Sequence, residues 1–186
     1  FQANAAATTV YVTHDQTEAM TMSTRVVVMK NGAIQQVSPP DQLYRQPQNT
    51  FVADFIGMPT INLIEVAAQD ERGAAFTNGD IDIDVGWNPG VQDAIIGARP
   101  EDIALSDAKS GTSQEYQVTA VLPNGPETII QLTRGKTTLI ARVGHDTALT
   151  EGQNTNLSFS SEALNVYDAA TGELIKKPNL EVAQAS

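Results

Sequence analysis

Thr9-Val10-Tyr11-Val12-Thr13-His14-Asp15-Gln16-Thr17-Glu18-Ala19-Met20 is a β-branched and aromatic run that ends on Thr-His-Asp and gives way to helix-forming Glu and Ala. The pattern predicts a strand over 9–13 that delivers His14 to a sheet edge, then a short helix over 16–23 with Ala19 and Met20 inward. Asp15 suits the helix N-cap, and Glu18 falls in the first turn, where negative charge is favoured. Upstream, the alanine-rich residues 1–8 read as the tail of a helix. Downstream, a continuous apolar run over 25–29 predicts a buried strand. Lys30-Asn31-Gly32 is a hairpin signal, residues 33–37 return as its partner, and Pro39-Pro40 stops the sheet.

Pro40 and Asp41 open a short helix to Arg45, since proline fits the first turn and the acid favours the N-terminus. Asn49 caps a second helix whose apolar face is Phe51, Val52, Phe55 and Ile56, ended by Gly57. Past Met58-Pro59-Thr60 the pattern becomes many short strands, at 61–67, 73–77, 81–85, 93–99, 116–122, 128–132, 137–143, 156–159 and 164–167. Turn chemistry separates them, as at Asn78-Gly79, Asn88-Pro89-Gly90, Asn124-Gly125-Pro126, Arg134-Gly135-Lys136 and Glu151-Gly152-Gln153. Regular short strands of this kind imply a small antiparallel barrel, with an OB-type barrel as the leading form. The fold class is therefore mainly β, one or two barrels preceded by a short α/β piece. The expected division is 1–58, then the barrel region 59–178, then a flexible tail 179–186.

Lys and Arg total 11 against 22 Asp and Glu, a net charge of −11 over 186 residues. Such a surface repels phosphate backbones and anionic lipid, which excludes nucleic acid as a partner and direct membrane binding. The absence of cysteine excludes disulfides and thiolate metal sites. No stretch of about 18 apolar residues occurs, so any membrane role would come through a partner subunit.

The opening segment resembles the switch-histidine segment of the ATPase subunits of ABC importers. The resemblance continues through 26–37 and Phe51-Val52-Ala53-Asp54-Phe55-Ile56-Gly57. Ile56-Gly57-Met58-Pro59-Thr60-Ile61-Asn62-Leu63 is closest in wording to the carbohydrate and glycerol-phosphate importers, with Ile61 in place of Met. Gly97-Ala98-Arg99-Pro100-Glu101 resembles a Gly-Ile-Arg-Pro-Glu motif of their regulatory domain, and Asp168-Ala169-Ala170-Thr171-Gly172 resembles their closing hairpin. The resemblance implies the end of a nucleotide-binding domain with its helical bridge, followed by an OB-like regulatory barrel, most of the ATPase domain lying before residue 1. The sequence holds no Gly-x-x-x-x-Gly-Lys-Ser/Thr, no Ser-Gly-Gly-Gln and no apolar strand ending in Asp-Glu, so this stretch alone is not expected to hydrolyse ATP or to hold a cofactor.

By that resemblance His14 is the catalytic and cofactor-contacting residue, reaching the γ-phosphate of ATP, with Mg present in the complete subunit. Implied partners are a second copy in a homodimer, transmembrane permease subunits and, indirectly, a solute-binding protein, at the cytoplasmic face of the plasma membrane. Arg99, Pro100 and Glu101 form a candidate regulatory motif; read from the residues alone, they are a strand exit with Glu101 pairing back to Arg99. A second reading is a regulatory module that binds a small oxyanion, with Arg134 and Lys136 the nearest cations, set in a solvated turn. His145, Asp146 and Glu151 fall short of a metal ligand set. Asp80, Asp82 and Asp84 alternate with isoleucines, as on the wet face of a strand.

Overall fold

The computed structural model describes residues 8–106 and 114–177. The expected helix tail before Thr8 and the tail 179–186 lie outside the described residues.

Helix α1 (Gln16–Met22) starts where Asp15 Oδ1 accepts from the N–H groups of Thr17 and Glu18, at 2.7 and 3.2 Å. The strand expected over 9–13 is absent. Val10, Tyr11 and Val12 are 86%, 66% and 90% exposed. A strand has no internal hydrogen bonds, and no described segment lies alongside this one to complete a ladder. Its polar side chains turn to the helix instead: Tyr11 Oη and Thr13 Oγ1 both donate to Glu18 Oε2, at 3.3 and 2.8 Å.

Strands β1 (Val26–Lys30) and β2 (Ala33–Ser38) form an antiparallel hairpin, with Asn31 at φ 51° and Gly32 at φ 80° as a primed turn requires. The run over 25–29 is not buried on both faces. Val26 and Val28 are covered, while Val27 and Met29 are 50% and 55% exposed, because α2 (Pro40–Arg45) and α3 (Thr50–Phe55) pack on one face only. Val26, Val28, Leu43, Val52 and Ile56 make this small core, with Ala19 and Met20 of α1 against it. In α3, capped by Asn49 Oδ1 at 2.9 Å from Val52 N, the covered side chains are Val52, Ala53 and Ile56. Phe55 is 47% exposed and stacks on Phe51, since the side of α3 carrying Ala53 turns to Ile61 and Tyr167 of the barrel.

Every strand expected after residue 60 is present: β3 (Asn62–Ala68), β4 (Ala75–Thr77), β5 (Asp82–Asp84), β6 (Asp93–Ala98), β8 (Gln114–Asn124), β9 (Glu127–Arg134), β10 (Thr137–Gly144), β11 (Asn154–Phe159) and β12 (Asn165–Asp168). Two more were not anticipated, β7 (Ile103–Ser106) and β13 (Leu174–Ile175). The sheets run β13-β12-β6-β3-β4-β5 and β10-β9-β8-β11-β7, with antiparallel pairing throughout. Strand β7 joins the five-stranded sheet ahead of β8, and β12 and β13 return to the six-stranded one. One core is shared, with Ile64, Phe76, Ile81 and Ile96 from one sheet meeting Tyr116, Ile130, Leu132 and Leu157 from the other. The chain is mainly β, and two short-stranded sheets closed around one core are consistent with an OB-type barrel.

Candidate functional site

His14 sits one residue before the Asp15 cap, exposed, and makes no hydrogen bond among the described residues. The capping network around it is dense: Asp15 N donates to Thr13 Oγ1 at 3.0 Å, and Thr13 donates on to Glu18. This network fixes the backbone and leaves the imidazole facing solvent. Asp15 and Glu18 are occupied in holding the turn, in keeping with their helix-capping chemistry.

Arg99 is 3% exposed and does something a strand exit does not need. Its Nη1 donates to Ile56 O at 2.6 Å and its Nη2 to Tyr44 O at 2.8 Å. Tyr44 O lies in the last turn of α2 and Ile56 O at the C-cap of α3, where helices leave carbonyls unsatisfied and the dipole is negative. One guanidinium from the barrel thus caps two helices. It also lies over the Tyr44 ring, 4.0 Å from the centroid. Burial lowers the Arg99 pKa from its ordinary value, and the Nε hydrogen finds no partner among the described residues.

The expected ion pair of Glu101 with Arg99 is replaced by others. Pro100–Asp102 forms a 3-10 turn closed by Asp102 N on Arg99 O at 3.0 Å. It turns Glu101 towards Tyr44 Oη, which donates to Oε1 at 2.5 Å, and towards Arg142 Nη2 at 3.2 Å. Arg99 is drawn away because two helix ends offer it carbonyls. Burial, followed by the bond to Glu101, raises the Tyr44 pKa to about 12. Pro100 is buried at the start of that turn. Sequence reasoning missed Tyr44 and Arg142; the only signal was Gly57, whose φ of 110° and lack of a side chain admit the clamp. A Cβ there would stand 2.9 Å from Arg99 Nη1 and 3.1 Å from Tyr44 Cε2.

The closing hairpin docks on the same helical piece. Asp168 Oδ1 accepts from Ala170 N and Thr171 N at 2.8 and 2.9 Å, and these backbone bonds, that of Thr171 foremost, lower its pKa. Beyond that turn, Gly172 O accepts from Thr50 N at 2.9 Å and Leu174 N donates to Gln48 O at 2.8 Å.

The residues considered for an oxyanion are not arranged as a receptor. Arg134 donates to Gln114 Oε1, and the backbone N–H of Lys136 is taken by Asp80 Oδ2 at 2.6 Å, which sets a carboxylate against the turn. A cleft of about 430 Å³ bordered by Leu105, Val143, Asp146, Leu149 and Thr155 carries an acid and no base. Among the described residues no cluster of His, Asp and Glu is fit for a metal, and no helix is long and apolar enough to cross a membrane.

No family model matches the sequence. The xylose/arabinose import ATP-binding protein XacK of Haloferax volcanii is 36% identical over 183 residues, 93% of this chain and 47% of its own. The trehalose/maltose import ATP-binding protein MalK of Thermococcus litoralis is 33% identical over 90% of this chain and 48% of its own. The sn-glycerol-3-phosphate import ATP-binding protein UgpC 3 of Agrobacterium fabrum is 36% identical over 91% and 48%. The chain spans about half the length of the curated relatives it matches. Among solved structures, the cytoplasmic molybdate-binding protein ModG, with molybdate bound, aligns with a TM-score of 0.45 at 11% identity, over 56% of this chain and 94% of its own, too slight a likeness to carry an argument. Homology along nine-tenths of its length places this chain among the homologues of the import ATP-binding proteins.

Proposed function

We propose that the chain is the part of an importer's ATP-binding subunit that carries the switch histidine and the regulatory barrel. The observation that supports this best is His14 itself, presented free at a capped helix start within a chain homologous to import ATP-binding proteins. In the complete subunit His14 would donate a hydrogen bond to charge developing on the γ-phosphate of ATP, whose Mg would be held by other residues. The barrel pairs with a second copy and regulates transport. Permease subunits hold the assembly at the cytoplasmic face of the membrane, a solute-binding protein delivers the solute, and carbohydrates or glycerol-phosphate are the solute class.

The test is His14→Ala in the complete subunit with its membrane partners. ATP binding persists while hydrolysis falls by roughly 10²–10³-fold, the loss typical on removing one donor to developing charge. Unchanged hydrolysis would sink the assignment.

A further inference from the structure

Two side chains from different parts of the molecule grip the same three-residue stretch. Gln16, the first residue of α1 and two beyond His14, donates from Nε2 to Phe55 O at 2.5 Å and accepts at Oε1 from Gly57 N at 3.0 Å. Between these two peptide groups, Ile56 O accepts from Arg99 Nη1. Residues 55, 56 and 57 are thus bonded alternately to the helix that follows His14 and to the barrel. Among the described residues Gln16 and Arg99 do not bond each other, and the stretch is the one hydrogen-bond partner they share.

Each grip is of the kind that fixes orientation. A glutamine that donates and accepts at once acts like a strand neighbour and resists rotation of the peptide groups it holds. The buried guanidinium is planar and spans two helix ends, so sliding the barrel by an ångström or two forfeits both bonds and leaves a desolvated charge. Among the described residues no carboxylate pairs directly with Arg99, whose bonds go to the two carbonyls and whose guanidinium lies over the Tyr44 ring.

We propose that Gln16 and Arg99 are paired positioning residues that make 55–57 the rigid joint between the helix following His14 and the regulatory barrel. Movement of the His14 segment then turns the barrel with it, and a partner that turns the barrel acts back on His14. That this movement follows nucleotide state rests on the function proposed above; the joint itself does not.

The chain has no cysteine, so nitroxide labels at Thr21→Cys on α1 and Glu151→Cys on a barrel turn report one distance by pulsed electron resonance, without nucleotide. The parent chain is expected to give one narrow distribution. Gln16→Ala and Arg99→Lys each broaden it, and the double variant is no broader than the worse single one, since both grips hold one element. Gln16 is half-buried and lies outside the barrel, so its variant keeps the barrel folded, which the dispersed amide spectrum checks. A distribution left narrow by Gln16→Ala in the folded protein overturns the joint, and so does additive broadening in the double variant. Failure of the His14→Ala hydrolysis test leaves this outcome untouched, so the two ideas fall separately.

Discussion

Asn62 serves Ile140 as a strand neighbour: its Oδ1 accepts from Ile140 N at 2.7 Å and its Nδ2 donates to Ile140 O at 2.9 Å. Strand β10 is the edge of the five-stranded sheet, and an amide side chain from β3 of the other sheet occupies both of its backbone groups at that point. The same Nδ2 also donates to Ala98 O at 3.0 Å. One side chain thus closes the gap between sheets where no ladder runs.

Asn62→Ala leaves these buried groups without partners, and the expected cost is about 1–3 kcal/mol, read from urea unfolding. Asn62→Asp keeps the acceptor but sets a carboxylate against two carbonyls, and is expected to cost at least as much. A change within error for both variants would show that β10 needs no cross-sheet partner.

Two glycines with nearly the same backbone offer a controlled comparison. Gly125 has φ 64° and Gly135 φ 57°, yet a Cβ at Gly125 meets nothing within 4 Å while one at Gly135 collides with the Asp80 carboxylate. Gly125→Ala is expected to cost about 1–2 kcal/mol, the strain of the left-handed region alone. Gly135→Ala costs more, because Asp80 must also release the N–H of Lys136. Adding Asp80→Ala to Gly135→Ala recovers the steric part, and equal thermal midpoints for the two glycine variants would contradict this account.

Tyr44 makes the joint sensitive to alkali. Its folded pKa of about 12 lies above the unfolded value of 10.0, so folding favours the neutral phenol. Its contribution is whole below pH 10.0 and is lost as pH rises through about 12. Tyr44→Phe, which cannot ionise, is expected to flatten that part of the stability profile, measured as unfolding midpoints on either side of the window. An identical alkaline slope in the variant would assign the loss to other groups.

His14 and Asp15 are adjacent and are expected to behave oppositely. His14→Ala leaves the unfolding midpoint where it was, since the imidazole is exposed and bonds nothing described. Asp15→Ala removes the cap of α1 and costs about 0.5–2 kcal/mol. The reverse order would mean that His14 is built into the fold.

Most of the architecture was legible because glycine, asparagine and proline punctuate it. The turns at Gly79, Gly90, Gly125, Gly135 and Gly152 all carry positive φ, and the strands between them lie where alternation put them. Strands β7 and β13 escaped notice because four and two residues are too few for a period to register, and β7 is a strand only through β11, a neighbour distant in sequence. The segment 9–13 failed the other way, with strong strand chemistry and no neighbour. At the site, His14 and Arg99 were visible as residues, but the clamp was not. Its acceptors are backbone carbonyls of Tyr44 and Ile56, and a carbonyl leaves no mark in a sequence.

The order of the six-stranded sheet has a consequence for synthesis. Strand β12 fills the slot beside β6, and the segment after it, 172–174, bonds to residues 48–50, which precede every barrel strand. A ribosome making this protein at about 5–20 residues per second therefore holds an unfinished barrel for several seconds after Gln48 emerges. Prematurely terminated products lack the strand that completes the sheet and expose Tyr167's empty seat, a flaw that proteases can recognise.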